Sequence, residues 1–253
     1  DRQPGECMAT FGIEEEFLLV DPATGLPAPR AEEISRALAA QPALPATDLP
    51  SPVGQSEFLA CQLETSTIIC ETLDDAVVSL LGARTAIAAA AASAGIGVVP
   101  SGAAPRIADT PAEVTGTERY RAMGELTGAV AGEHYVNGTH IHVAVPSRDS
   151  GITALNKLRP WLSTLAAVAG NSPFWRGMDT SFSSWRLIHY RRWSVQGCPP
   201  EFADAADYDR RLARLLGSDA VLDSGHIGWA ARLSEHYPTV EVRVGDAQLE
   251  AAD

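Results

Sequence analysis

Residues 12–20 read Gly-Ile-Glu-Glu-Glu-Phe-Leu-Leu-Val, three consecutive carboxylates inside what is otherwise the sequence of a buried apolar strand. Side chains alternate along a strand, so the triplet must split: Glu14 and Glu16 share one face, and Glu15 joins Ile13 and Phe17 on the other. A carboxylate in apolar surroundings protonates unless something keeps it charged. A hard divalent cation such as Mg²⁺ does that while taking oxygen ligands from both Glu14 and Glu16. On this segment alone, a cation site and a solvated edge strand with an acidic face fit equally well. Glu15 needs an ion pair or a polar niche on the opposite face, and an arginine would serve.

Three further segments repeat the alternation. Gly138-Thr139-His140-Ile141-His142-Val143 puts both histidines on one face, and Thr239-Val240-Glu241-Val242-Arg243-Val244 puts Glu241 and Arg243 opposite three valines. Ala60-Cys61-Gln62-Leu63-Glu64-Thr65 does the same with Gln62 and Glu64. Antiparallel sheets often turn a polar face to water, but such faces mix lysine, threonine and serine. A face of Glu14, Glu16, Glu64, Glu241, His140, His142 and Arg243 is more economically the floor of a metal and phosphate site.

Composition narrows the chemistry. A chain of 253 residues with 45% hydrophobic and 20% charged residues is expected to form one α+β unit spanning 1–253. The formal net charge of −13 argues against nonspecific nucleic-acid binding and suits an acidic metal cleft. Lys157 is the single lysine, which leaves no Gly-Lys-Ser/Thr phosphate loop and gives any anion clamp to arginine, whose planar fork binds carboxylate or phosphate bidentately. Cys7, Cys61, Cys70 and Cys198 are scattered, without zinc-type pairs or a signal-peptide pattern ahead of them, so a reducing cytoplasm is expected. Cys61 and Cys70 fit small core residues. The alanine-rich stretch 74–95 carries Asp75 and Arg84 and is expected to be a packed helix rather than a membrane span.

Elsewhere, the first ten residues look loose, and 22–54 suggests a turn, a helix over 31–40 and a loop. Strands are expected over 58–69, 95–100, 139–145 and 239–244, and helices within 111–136 and over 153–170 and 207–216. Residues 171–200 form a long irregular region rich in aromatics and arginine.

Together with Glu57 to Glu64, Arg119-Tyr120-Arg121, Arg159-Pro160-Trp161, Asn171-Ser172-Pro173-Phe174-Trp175, Ser184-Trp185-Arg186 and Arg191-Arg192-Trp193, these strands resemble, in this order, the carboxylate-amine ligases related to bacterial type 2 glutamate-cysteine ligase. The resemblance implies a glutamine-synthetase-like fold: a curved antiparallel sheet with helices on its outer face, carrying ATP, two or three Mg²⁺ ions and an amino-acid substrate on its concave face. It implies a reaction in which ATP phosphorylates a carboxylate, by default that of glutamate, and an amine displaces phosphate to form an amide. Phosphoryl transfer of that kind needs charge neutralisation and positioning rather than a nucleophilic side chain. By motif position, Glu14, Glu16, Glu64 and Glu241 resemble metal ligands, and Glu57 either joins them or is a solvated turn residue. The resemblance makes His140 a metal ligand or a phosphate contact and turns Arg243 to the transferring phosphate, and His142, Arg186 and Arg119 are candidates for holding nucleotide or substrate anions, with surface ion pairing the alternative for the two arginines.

Two segments depart from the pattern. Ala230 stands where relatives often carry an acidic residue, and Gly102-Ala103-Ala104-Pro105 lacks a histidine often found there, which leaves the amine open. Relatives usually continue past the position of Asp253 with a helical portion. A non-catalytic nucleotide- or metabolite-binding relative and a phosphagen-kinase-like phosphotransferase are the competing expectations. No nucleic acid or membrane partner is expected, and a homodimer is left open.

Overall fold

A computed structural model describes residues 9–40 and 54–252. Cys7, most of the first ten residues and the loop expected after residue 40 lie outside the described residues. The strands are β1 (Phe11–Val20), β2 (Gln55–Ser56), β3 (Gln62–Ser66), β4 (Gly97–Val99), β5 (Gly138–Ala144), β6 (Phe174–Trp175), β7 (Met178–Asp179), β8 (Gln196–Gly197), β9 (Gly228–Trp229), β10 (Ala231–Leu233) and β11 (Thr239–Asp246). The helices are α1 (Ala31–Ala39), α2 (Leu73–Ser93), α3 (Glu118–Thr127), α4 (Ala129–Gly132), α5 (Arg148–Leu158), α6 (Leu162–Val168), α7 (Trp185–Tyr190) and α8 (Ala205–Leu216).

The main sheet is antiparallel throughout, in the order β10-β11-β5-β1-β3-β2. β1 is its spine: its first half pairs with β5, its last three residues pair with β4, and β3 lies along the other edge. On one face, Phe17, Leu19 and Leu63 pack under α1 and α2 against Ile34, Leu38, Ile87 and a row of alanines. Alanine lets α2 lie close to the strands, and its start is fixed by reciprocal hydrogen bonds between Thr72 and Asp75. α2 is long and apolar enough to span a membrane by length and composition, and here it packs on α1, β1 and β4. Further along the sheet, α5 and α8 cover β10 and β11 through Ile152, Leu155, Leu233 and Val240. A third cluster closes the far end of the opposite face, where Leu18 and Val20 meet Phe58, Tyr135 and Trp193.

Three expectations change. The strand expected over 58–69 shrinks to β3, because Gln62 N bonds Leu59 O and the Gln62 side chain accepts from Leu59 N, closing a turn that drives Phe58 and Leu59 into the core. The helix expected over 153–170 starts earlier, capped by Ser147, and breaks at a 3-10 turn, Arg159–Trp161, where Pro160 cannot donate. The stretch 171–200 is not wholly irregular: it holds the β6–β7 hairpin, α7 and β8. Cys61 and Cys70 are buried as expected, and burial pushes the Cys61 thiol up to about 12.

Glu15 finds its arginine on α2. Arg84 donates from Nε at 3.0 Å and from Nη2 to the two carboxylate oxygens, and its Nη groups also bond the carbonyls of Gln248 and Leu249.

Candidate active site

Register assembles the site. Across the sheet Glu16 faces Glu64, Glu14 faces His140, and His142 faces Glu241, so the polar residues of four strands stand side by side on the face opposite α2. They floor a cleft of about 430 Å³ whose wall includes Tyr120, Tyr190 and Trp193.

The carboxylates and histidines are within ligand reach of one another. His140 Nδ1 lies 3.3 Å from Glu14 Oε2, and His142 Nε2 lies 3.3 Å from Glu14 Oε1. Both rings also approach Glu241 Oε1 to 3.9 Å. Thr239 Oγ1, 3.0 Å from His142 Nδ1, fixes that ring and leaves Nε2 pointing at the carboxylates. The Nε2 atoms of His140 and His142 are buried without a hydrogen-bond partner among the described residues. Two groups, Glu14 with His142 and Glu241, and Glu14 with Glu64 and His140, each bring three ligand atoms within 4.8 Å of one another. Unpartnered ring nitrogens beside clustered carboxylates are a donor set that fits divalent cations.

The charge distribution supports that fit. Burial, then the nearby Glu57, pushes Glu16 up to about 7, and burial with Glu57, Glu14 and Glu16 around it raises Glu64 well above the usual carboxyl range. Glu57 is raised by burial against the opposing hydrogen bond from the Tyr120 hydroxyl at 3.0 Å. Burial acts on Glu14 and Glu241 too, but is outweighed. His140 and His142 hold Glu14 well below its usual range, and Arg243, Arg232 and His140 bring Glu241 to about 2. His140, buried and near Arg243, falls to about 4 and is neutral at physiological pH, the form in which an imidazole can hold a metal. Burial disfavours the charge of Glu16, Glu57 and Glu64, and a cation beside them would favour their ionised forms.

Arg243 points into the cleft from a register irregularity in β11 between Val242 and Gly245. It pairs with Glu241 and donates to the Tyr190 hydroxyl at 3.4 Å. Burial disfavours its charge, and Glu241 more than restores it. Glu57 is no solvated turn residue: it is sequestered with Tyr120 beside Glu16 and Glu64. Arg119 reaches the rim, where Asp223 holds its guanidinium at 2.6 and 2.9 Å, the surface pairing that was the alternative to anion binding. Arg186 lines the cleft but donates to the main-chain carbonyls of Arg243 and Val244. Gln62, on the polar face in sequence, spends its amide on Val136 O and Asn137 Oδ1.

Sequence reasoning missed several participants. Arg232 donates to Glu241 Oε2 at 2.6 Å from β10, a strand too short to show alternation. Tyr190 and Asp246 lie in segments without a polar period. Asp246 was the last residue of an observed strand that runs two positions past its expected end.

Comparison with known proteins gives a consistent result. The chain is 42% identical over 244 residues to a candidate glutamate–cysteine ligase 2-2 of Saccharopolyspora erythraea, covering 96% of this chain and 61% of that one. It is 41% identical to a candidate glutamate–cysteine ligase 2-3 of Mycolicibacterium smegmatis, covering 96% and 64%. It thus spans less than two thirds of the length of these relatives. Its fold matches that of a glutamate–cysteine ligase from Francisella tularensis solved in complex with AMP, with a TM-score of 0.66 at 13% identity over 95% of this chain and 62% of that one. It also matches a bifunctional glutathione synthetase from Pasteurella multocida, with a TM-score of 0.64 at 16% identity over 94% and 35%. The α+β arrangement expected from the sequence, an antiparallel sheet with helices packed on one face, is the one observed. The description "Glutamate-cysteine ligase family 2" matches residues 10–253, and the chain belongs to that family.

Proposed function

We propose that this chain carries the catalytic site of an ATP- and Mg²⁺-dependent ligase that joins a carboxylate, glutamate by the character of its relatives, to an amine through an acyl phosphate. The observation that carries the reading is the pair of ligand groups, Glu14–His142–Glu241 and Glu14–Glu64–His140, set beside the buried Arg243 in one cleft. Mg²⁺ held by Glu14, Glu16, Glu64, Glu241 and the histidines, with Glu57 at the edge of the set, would neutralise the phosphate oxygens and polarise the group being transferred.

The chain's own residues account for the remaining needs. Arg243 is a permanent positive charge, fixed by Glu241 and Tyr190, that faces the position of a transferring phosphoryl group. Glu241 is itself braced by Arg232, so the Glu241–Arg243 pair is a rigid electrostatic element rather than two mobile side chains. Phe58, Trp193 and Tyr190 wall one side of the cleft and limit access of water to an intermediate that water would hydrolyse. Arg119 at the rim is available to a substrate carboxylate if it exchanges Asp223 for that ligand. ATP as substrate goes with a cytoplasmic location.

The test is release of ADP and phosphate by the full-length gene product, with ATP, Mg²⁺ and glutamate, across a panel of amines, with the products identified by mass spectrometry. An amide product supports the ligase. A stable phosphorylated product without amide would make the protein a phosphotransferase, and nucleotide binding without turnover across the panel would make it a binding protein. Glu14→Gln and Glu241→Gln should each abolish turnover with the fold intact, and wild-type rates in both would refute the metal assignment.

A further inference from the structure

Arg186 and Asp246 form a buried unit behind the cleft. Asp246 is fully buried and accepts three hydrogen bonds: from Ser172 Oγ at 2.6 Å, Ser184 Oγ at 2.8 Å and Asn171 N at 2.8 Å. It is wedged against Gly102, where an added Cβ would come within 2.3 Å of its carboxyl carbon. Ser184 is also the N-cap of α7, whose second residue is Arg186, and Ser172 Oγ accepts from Arg186 N at 3.1 Å. A single carboxylate thereby fixes the start of the helix that delivers Arg186.

Both Nη groups of Arg186 are turned to the backbone, while its buried Nε has no partner among the described residues. Nη2 donates to Arg243 O at 3.2 Å, Nη1 reaches Val244 O at 3.5 Å and lies 3.9 Å from Asp246 Oδ1, and the group stacks 5.1 Å over the Tyr190 ring. The carbonyls it holds belong to the irregular stretch of β11 between Val242 and Gly245. A bulge re-aims a side chain, and the side chain re-aimed here is Arg243. Tyr190 closes the circuit, with its ring under Arg186 and its hydroxyl receiving Arg243. Gly138 is required where Arg186 passes, since a Cβ there would lie 2.3 Å from Nη2.

We infer that Asp246 and Arg186 are positioning residues: Asp246 orients α7, Arg186 clamps the Arg243–Val244 backbone, and together they set the aim of Arg243 in the cleft. The inference rests on the proposed ligase reading for its kinetic arm only.

Asp246→Asn keeps an oxygen for Ser184 but removes the charge facing Arg186. If Asp246 acts through Arg243, kcat falls about tenfold or more while KM for ATP and for the carboxylate stays within about twofold, and in an Arg243→Lys background the same substitution changes kcat by less than about twofold. Equal losses in both backgrounds, or a raised KM with kcat unchanged, would overturn the inference. The second arm needs no turnover. Hydrogen exchange at the amide of Arg243, which bonds Ala230 O, should quicken about tenfold or more in Asp246→Asn while amides pairing β1 with β3 stay protected. Unchanged exchange at Arg243 in a folded Asp246→Asn variant contradicts the inference whether or not the protein is a ligase, and absence of turnover in the wild type with faster exchange in the variant would sink the functional reading alone. Should Asp246→Asn fail to fold, Ser184→Ala tests the same link from the other side, with the same two outcomes.

Discussion

Raising the pH should cost the metal-free protein the stability that protonated Glu16 contributes, and Mg²⁺ should restore it. Glu16, Glu57 and Glu64 all have carboxyl pKa values raised by burial, Glu16 to about 7 from 4.5. A carboxyl whose pKa is raised on folding binds more protons folded than unfolded, so stability is lost as pH climbs from the unfolded value through the folded one. For Glu16 the full span is worth about 3 kcal/mol at ~1.4 kcal/mol per unit, of which about 1 kcal/mol falls between pH 6.5 and 8.5. Glu57 and Glu64, raised in the same direction, add to the loss. Glu14 and Glu241 are depressed, so their contribution is present above 4.5 and lost only in strong acid. The buried histidines His134, His140 and His189 oppose the trend in this same interval: their folded values are depressed, so stability grows as the unfolded imidazoles give up protons, by about 0.4 kcal/mol each between pH 6.5 and 8.5, and the Glu16 contribution is read as the difference from Glu16→Gln.

Relative to Glu16→Gln, the unfolding midpoint of the metal-free protein in chelator should therefore fall by about 2 °C or more between pH 6.5 and 8.5, at ~2–4 °C per kcal/mol for a chain of this size. Mg²⁺ held by the ionised carboxylates would release their protons, so its affinity should climb roughly tenfold per pH unit for each proton displaced. Glu64→Gln should likewise remove a falling contribution from the metal-free slope. Differential scanning calorimetry with and without Mg²⁺ measures all three. Metal-free midpoints of wild type and Glu16→Gln that run parallel over this interval, or Mg²⁺ stabilisation that does not grow with pH, would refute the reasoning.

Arg84→Ala strands Glu15, 2% exposed, between Thr65 and Thr139 across the sheet, and should cost about 3–5 kcal/mol in urea unfolding, whereas replacing both partners by methionine should cost about 1 kcal/mol or less. A loss under ~1 kcal/mol for Arg84→Ala would contradict the pairing. His134 is held near 3 by burial while its Nδ1 accepts from Trp193 Nε1 at 2.9 Å. Being depressed, it stabilises the fold above 6.5 and that stability is lost as pH falls towards 3, so His134→Gln should make the decline below pH 6.5 shallower than wild type by ~1.4 kcal/mol per unit. Parallel declines in the two proteins would contradict that account.

The site was legible where its chemistry follows the two-residue period of a strand. Glu14, Glu16, Glu64, His140, His142, Glu241 and Arg243 could be placed on one face because neighbouring apolar residues fix which face is which, and the observed register aligns them. The need of Glu15 for a cation was equally legible. Its partner was not, since Arg84 lies 69 residues away on a helix whose packing the local pattern does not define. The same limit hid Arg232, on a three-residue strand, and Asp246, whose importance comes from three loop donors brought to it only by folding. Arginines were ambiguous for a related reason. Residue type marks Arg119, Arg186 and Arg243 alike as anion binders, but only tertiary contacts show that Asp223 takes the first, backbone carbonyls take the second, and the third faces the cleft.

The central claim, that this acidic sheet face binds divalent cations, is tested most directly by anomalous diffraction from crystals soaked with Mn²⁺ and a non-hydrolysable ATP analogue. The account predicts manganese peaks within coordination distance of Glu14, Glu64 and His140 and of Glu14, His142 and Glu241, both weakened in Glu14→Gln. Ordered nucleotide in the cleft with no manganese at either group would contradict it.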